Sequence, residues 1–142
     1  MEKRILAFDL YDKYLSAFSA HAVEYKGVLY PTVEHAYHSQ RYTDSKIIEE
    51  IKNARSAYLA WELSQKYKSQ QIEKFDDQKI RVMEDICRHK LAQHKDVQWL
   101  LAESKGQLII KNYPDPFWGI GMDGVGRNEM GKLWMKLRAD IQ

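Results

Sequence analysis

Cysteine and long apolar stretches are scarce in this sequence. Cys87 is the only cysteine among 142 residues, so an internal disulfide is impossible and a reducing compartment is favoured. No run approaches the roughly 20 apolar residues that a membrane-spanning helix requires. The short apolar run at residues 5–8 ends at Asp9, which argues against a signal peptide. We therefore expect a cytoplasmic protein that has no membrane partner.

An excess of charge of one sign is also missing. The 22 basic residues are nearly balanced by 20 acidic ones, the net charge is +2, and no basic tract stands out. Charge alone therefore does not indicate a broad cationic face for nucleic acid. No internal repeat, low-complexity segment or linker divides the chain, and its length suits one hydrophobic core. The sequence thus predicts a single domain over residues 1–142.

Helical signals dominate what is present, and three short segments are typical of strands. Val23–Tyr25 and Val28–Tyr30 flank Lys26-Gly27, which predicts a tight β-hairpin, and Leu108–Ile110 is typical of a short buried strand. The predicted helices are Val33–Tyr42, a segment capped by Asp44 or Ser45, Ser56–Lys68 with Leu59, Leu63 and Tyr67 at spacing four, Asp76–His94, Asp96–Ser104, and Glu129–Ile141 with Leu133, Trp134, Leu137 and Ile141 turned inward.

The start of the first helix carries an acidic residue that has two interpretations. Pro31 closes the preceding strand, and Thr32 is a candidate N-cap because its hydroxyl can accept an amide of the first turn. Glu34 follows in that turn, where the helix dipole favours a carboxylate. Glu34 is either a dipole-matched acid of an ordinary helix or a functional carboxylate.

The longest predicted helix places a lysine among apolar residues. Its stripe includes Met83, Ile86, Cys87 and Leu91, and on a helical wheel Lys90 falls inside this stripe. One interpretation is that the stem lies on the core while the ammonium reaches water. The alternative is that the ammonium is held in a pocket, where a substrate can meet it. Cys87 on the same stripe is expected to be inert.

Two segments suggest a planar or phosphorylated ligand. The aromatic residues of the segment Ile5–Ser19 either plug the edge of a core or form a stacking wall. Gly119-x-Gly121-x-x-Gly124 matches a dinucleotide-binding pattern, but proline-rich sequence precedes it and no βαβ unit follows, so a Rossmann fold is rejected. Such a loop is either a surface loop or one that brings amides to an anion, with Trp118 as a flat apolar face.

Histidines close to Glu34 do not form a metal motif. His35 and His38 are three residues apart, whereas the zinc-protease pattern needs two histidines four apart with a glutamate just after the first. No third ligand is evident in the sequence. We therefore expect no metal at this position.

Several short motifs are distributed along the whole chain. They are Leu15-Ser16-x-Phe18, Pro31-Thr32-Val33-Glu34-His35, Val82-Met83, Lys90 within the long helix, Trp118-Gly119-x-Gly121, and Gly126-x-Asn128-x-Met130-Gly131 followed by Met135 and Arg138. In this order, and over nearly the whole chain, they resemble the NADAR superfamily of YbiA-like N-glycosidases.

The resemblance implies a fold and a reaction. The implied fold is a compact, mainly α single domain (α+β with a few short strands). The implied reaction is hydrolysis of the N-glycosidic bond between a base or amine and a phosphorylated ribose. Its substrates are early riboflavin-pathway intermediates or ADP-ribose attached to guanine in nucleic acid. The expected partner is therefore an ADP-ribose or ribose-phosphate compound, including ADP-ribosylated DNA or RNA, and no cofactor is implied.

The resemblance also assigns residues by position. The catalytic set is Glu34, Lys90 and Asp115, where Glu34 is the essential carboxylate and Lys90 an amine able to form a Schiff base with the opened sugar. The substrate-binding set is Ser16, Phe18, His35, Asp76, Trp118, Gly119, Gly121, Gly126 and Asn128.

Three positions depart from the family pattern. Ala17 stands where the family usually has Asn, Phe75 where a Trp precedes Asp76, and Lys111 where Glu commonly ends the strand. We expect these positions to face the ligand, so they bear on substrate choice. Removal of ADP-ribose from a modified base is the first hypothesis and cleavage of riboflavin intermediates the second. The third is a non-catalytic nucleotide-binding module, which needs Trp118 but not Glu34.

Overall fold

The computed structural model describes residues 4–141, which pack into two compact units. One unit contains residues 17–93, and the other contains residues 4–16 and 94–141. In chain order the elements are β1 (Ile5–Phe8), β2 (Val23–Tyr25), β3 (Val28–Tyr30), α1 (Val33–Ser39), α2 (Ser45–Lys52), α3 (Ala57–Lys66), α4 (Phe75–Gln93), α5 (Lys95–Glu103), β4 (Leu108–Lys111) and α6 (Glu129–Asp140). The predicted α+β class with mainly helical content is confirmed. No helix within residues 4–141 combines the length and hydropathy that a membrane crossing needs.

The predicted hairpin opens the unit of residues 17–93. β2 and β3 pair antiparallel, with Val23 opposite Tyr30. Lys26 and Gly27 form the turn with φ of 51° and 80°, as a two-residue turn that follows the twist of the strands requires. The local signal at Lys26-Gly27 was therefore sufficient to predict this element.

Helix α1 is the buried centre of the same unit. The Thr32 hydroxyl accepts a hydrogen bond from the His35 amide at 3.3 Å, which confirms the predicted N-cap. Every residue of α1 is buried, and α2, α3 and α4 pack around it. The helix ends at Ser39, three residues before the predicted end, because residues 40–42 continue as tight turns in which each amide bonds the carbonyl three residues earlier.

In the surrounding helices α2 and α3, the predicted caps are observed, but the buried face of α3 differs from the predicted one. Asp44 and Ser56 cap α2 and α3 through their side chains. In α3 the buried residues are the small Ala57, Ala60 and Ser64, whereas Leu59 is exposed. Small residues let α3 lie close to α1, which the spacing of the larger residues did not reveal.

Helix α4 confirms the predicted apolar stripe. Met83, Ile86, Cys87 and Leu91 are buried, and Lys90 is buried among them. The burial of Cys87 agrees with the prediction that its thiol is inert.

A parallel strand pair and α6 form the core of the other unit. β1 pairs with β4 in the register Ile5 opposite Leu108, and α6 packs against β4. Gly131 permits this approach, since a Cβ there would collide with the Ile109 carbonyl. Trp134 of α6 is fully buried and donates its indole N–H to the Leu15 carbonyl at 3.0 Å.

Two predictions for this unit were incomplete or wrong. No strand was predicted within the aromatic segment that begins at Ile5, yet residues 5–8 form β1, because they pair with a segment about one hundred residues later. Ile141 was expected to face inward but is 48% exposed, since α6 ends at Asp140.

Candidate active site

Glu34 is a buried carboxylate held by its own helix. It is 8% exposed, and its backbone amide donates to the Ala17 carbonyl at 3.1 Å. Its Oε2 lies 2.7 Å from Nε2 of His38, one helical turn later. Glu34 thus lies in the first turn of α1 as a buried, hydrogen-bonded carboxylate and not as a solvated one.

His38 links Glu34 to an arginine. Nε of Arg41 donates to Nδ1 of His38 at 3.0 Å, and another guanidinium nitrogen donates to Oε1 of Gln71 at 2.7 Å. The guanidinium carbon lies 4.6 Å from the centroid of the Phe75 ring. Sequence analysis missed this role of His38 and Arg41, although the i, i+4 spacing of Glu34 and His38 is a known signal for side-chain pairing.

Lys90 is the second buried charged group of this unit. Its relative exposure is 0%, which excludes the interpretation that its ammonium reaches water. Nζ donates to Oγ of Ser19 at 2.7 Å, and the same oxygen lies 2.7 Å from Nδ1 of His21. Ser19 was not among the predicted site residues, because it is 71 positions from Lys90 and no local pattern connects them.

The unit of residues 17–93 therefore contains both a buried carboxylate and a buried amine. Glu34 lies on α1 and Lys90 on α4, and these two helices pack against each other. Phe18, a predicted substrate-binding residue, is half-buried in the same unit. Asp76 is exposed in the first turn of α4, where its Oδ1 lies 3.9 Å from Nζ of Lys79.

His35, predicted to bind substrate, is held on both sides by the protein. It is almost fully buried, its Nδ1 lies 2.8 Å from the Thr32 hydroxyl, and its Nε2 lies 3.0 Å from the Ala54 carbonyl. Because a carbonyl only accepts, Nε2 carries the ring proton. Burial lowers the pKa of His35 from its ordinary value. These contacts are those of a residue that joins α1 to the segment after α2.

The three residues that depart from the family pattern are buried and make contacts within the protein. Phe75, expected to face the ligand, is buried in the core of its unit, with its ring centroid 5.6 Å from that of Tyr37. Ala17 is buried and contributes the carbonyl that binds the Glu34 amide. In the other unit, Lys111 is buried and its Nζ lies over the ring of Tyr113.

The segment around Trp118 belongs to the other unit. Oδ1 of Asp115 accepts the amides of Phe117 and Trp118 at 2.7 and 3.3 Å, so this predicted catalytic carboxylate shapes a turn. Trp118 is half-buried, and its ring meets that of Phe117 edge-on at 4.9 Å.

Ser16, predicted to bind substrate, is buried, and its hydroxyl donates to the Leu10 carbonyl at 2.6 Å.

The glycines of this segment allow close backbone packing. A Cβ at Gly119 would lie 2.8 Å from the Tyr113 carbonyl oxygen, and one at Gly126 would lie 2.7 Å from that of Gly119. The amides of Gly119, Gly121 and Gly126 all donate to carbonyls of the same segment. Of the two interpretations of this loop, these amides do not support the one in which they bind an anion, because each is already bonded to a carbonyl.

Asn128 joins this segment to β4. It adopts a left-handed conformation with φ of 52°, which asparagine tolerates better than most residues. Its Oδ1 accepts the Lys111 amide at 2.8 Å and its Nδ2 donates to the Ile109 carbonyl at 3.0 Å. Its amide group is thus bonded at both ends to the strand.

The chain is similar to known proteins over most of its length. The NADAR domain model matches residues 9–142. N-glycosidase YbiA of Escherichia coli is 31% identical over 127 residues, which cover 89% of this chain and 79% of that protein. An N-glycosidase of Nostoc punctiforme is 31% identical, with 89% of this chain and 84% of that protein covered. The NMR structure of E. coli YbiA matches with a TM-score of 0.88 at 28% identity, over 99% of this chain and 86% of that one.

A longer relative is also similar. A riboflavin biosynthesis protein of Vibrio vulnificus is 33% identical over 130 residues, which cover 91% of this chain but only 35% of the relative. The chain thus spans about a third of that protein and most of YbiA. Because the family model covers nearly the whole chain and the YbiA structure matches its fold, the chain belongs to the NADAR family.

Proposed function

We propose that this protein is an N-glycosidase that hydrolyses the bond between a base or amine and a phosphorylated ribose. The observation that carries the proposal is the presence of a buried carboxylate and a buried amine, Glu34 and Lys90, on two packed helices of one unit. Burying two ionisable groups is costly unless they are paired or functional. Relatives that are named N-glycosidases support the same reaction class.

Glu34 supplies negative charge to the reaction. Breaking an N-glycosidic bond builds positive charge on the sugar, and a fixed carboxylate in a water-poor site stabilises that charge. The same group can remove a proton from an attacking water. Its hydrogen bond to His38 holds the carboxylate while the charge develops.

Lys90 supplies a nucleophile. As the neutral amine, Nζ adds to C1′ of the ring-opened sugar, the bond from C1′ to the base nitrogen breaks, and an imine forms between C1′ and Nζ. The two protons of Nζ pass to the base nitrogen, which leaves as a free amine. Water then hydrolyses the imine, so that an aldehyde sugar and the Lys90 amine are released.

The first candidate substrate is ADP-ribose attached to guanine in nucleic acid. The relatives named N-glycosidases support this choice as far as the reaction class, because it also breaks an N-glycosidic bond. The second candidate is a ribosylamino-pyrimidine of riboflavin synthesis, and the similarity to the riboflavin biosynthesis protein of Vibrio vulnificus favours it. In both cases we propose that residues 1–142 act as one cytoplasmic domain without a cofactor.

Direct incubation separates these candidates. The wild-type protein is mixed with ADP-ribosylated guanine DNA or with the riboflavin intermediates, and released amine and sugar are detected by mass spectrometry. Glu34→Gln should abolish release but leave ligand binding largely intact, because the amide keeps the shape and loses the charge. Glu49→Gln, an exposed acid of the same unit, is the matched control and should remain active. Binding without release by the wild type would instead identify a non-catalytic nucleotide-binding module.

Borohydride trapping tests the role of Lys90. Reduction during turnover should convert the imine into a stable amine, and peptide mapping should locate the sugar on Lys90. Lys90→Arg should lose both adduct and activity, since a guanidinium is never deprotonated in proteins. Lys52→Arg, at the end of α2, serves as the control. An active Lys90→Arg variant without adduct would rule out the imine.

A further inference from the structure

The hydrogen bonds of His38 define where its ring proton lies. Arg41 has donors but no acceptor, so Nδ1 of His38 must accept from Nε of Arg41. The ring proton of neutral His38 is then on Nε2, where it points at Oε2 of Glu34. The direction of donation therefore runs from Arg41 through His38 to the carboxylate.

Arg41 is itself held in place. Its guanidinium donates to Gln71 at 2.7 Å and to the Tyr37 hydroxyl at 3.3 Å. It lies over two aromatic rings, 5.0 Å from the centroid of Tyr37 and 4.6 Å from that of Phe75. With these contacts on several sides, the Nε–H that reaches His38 has a defined direction.

We propose that Arg41 and His38 form a positioning relay that fixes the tautomer of His38 and the orientation of the Glu34 carboxylate. The relay rests on the proposed function, because Glu34 is the carboxylate on which that function depends. A neutral imidazole donor stabilises the carboxylate without giving it a full counter-charge. Glu34 therefore keeps its negative charge for the cationic sugar, and neither relay residue needs to touch substrate.

The tautomer can be measured without any substrate. In two-dimensional spectra of the ¹⁵N-labelled protein, the side-chain nitrogens of His38 should show the pattern of a proton on Nε2. Arg41→Met removes the donor and keeps an apolar stem of similar length against the rings. In this variant His38 should lose its single tautomer.

Activity provides the second readout. At metal sites, loss of the outer hydrogen-bond partner of a ligand typically costs about 10- to 100-fold in affinity or activity, and we expect the same order for the partners of this carboxylate. We expect His38→Leu and Arg41→Met to lower kcat by this factor with KM unchanged, because the relay orients the carboxylate and does not bind substrate. His38→Gln should recover part of the loss, since its amide can donate to Glu34. If Arg41→Met does not fold, the comparison of His38→Leu with His38→Gln still tests the relay.

Tyr42→Phe is the matched control. It removes another buried hydrogen bond of the same unit, from the Tyr42 hydroxyl to the Ser64 carbonyl at 2.6 Å. It should lower stability but change neither kcat nor the His38 tautomer.

The outcomes separate the relay from the proposed function. A proton on Nδ1 of His38 in an active wild type would overturn the relay alone, as would a wild-type kcat in folded Arg41→Met and His38→Leu. A wild type without glycosidase activity but with the expected tautomer would overturn the proposed function and, with it, the catalytic purpose of the relay.

Discussion

Asn128 offers the sharpest test of whether a residue assigned by family resemblance binds substrate or supports the fold. Its side chain spans two backbone groups of β4, the Lys111 amide and the Ile109 carbonyl. Both bonds are buried, so water does not readily replace the lost partner. Asn128→Ala should therefore destabilise the protein even in the absence of ligand.

The magnitude follows from the two groups and from the backbone. Each buried polar group left unpaired costs roughly 1–3 kcal/mol, and alanine in the left-handed region costs about 1–2 kcal/mol more. We expect Asn128→Ala to lose about 3–8 kcal/mol of unfolding free energy, a large part of the 5–15 kcal/mol typical of a domain. Asn128→Gly loses the same bonds but tolerates φ of 52°, so it should be about 1 kcal/mol less damaging.

Urea unfolding followed by tryptophan fluorescence and far-UV circular dichroism measures these changes. The order of stability should be wild type, then Asn128→Gly, then Asn128→Ala. The structural argument fails if both variants stay within about 0.5 kcal/mol of wild type, as ordinary surface substitutions do. If such stable variants also lose substrate binding, the role implied by the resemblance is the correct one.

Two further predictions concern His35 and Trp118. Burial lowers the pKa of His35 in the folded protein, so as the pH falls the imidazole of the unfolded chain is protonated before that of the folded protein. The free energy of unfolding should therefore be at its full value above about pH 6.5 and should fall below that pH by up to about 1.4 kcal/mol per pH unit. Urea midpoints at several pH values check this, and His35→Gln should flatten the dependence; an equal slope in both proteins would contradict the assignment. Trp118→Ala should weaken binding of ADP-ribose by roughly 1–3 kcal/mol in calorimetry and leave the Tm nearly unchanged. Trp99→Ala, at a tryptophan that is 60% exposed, is the control, and a steep fall in Tm for Trp118→Ala would instead make that residue part of the core.

Features that depend on a few neighbouring residues were predictable from the sequence. The Lys26-Gly27 turn, the Thr32 cap and the buried stripe of α4 were all predicted, because turns, caps and helical faces are determined within about four residues. The family and the choice of Glu34 and Lys90 also came from the sequence, since the motifs that carry the resemblance lie in a recognisable order.

Features that depend on distant partners required the tertiary structure. β1 was not predicted because its partner strand lies about one hundred residues away. The burial of Lys90 and its bond to Ser19 decided between a solvated and an enclosed amine, which the helical wheel left open. The role of Asn128 as a support for β4 was likewise visible only in the tertiary structure, where its side chain bonds the backbone of that strand. The physical reason is the same in each case: local backbone preferences are encoded by neighbours, whereas desolvation and side-chain pairing depend on which distant segments pack together.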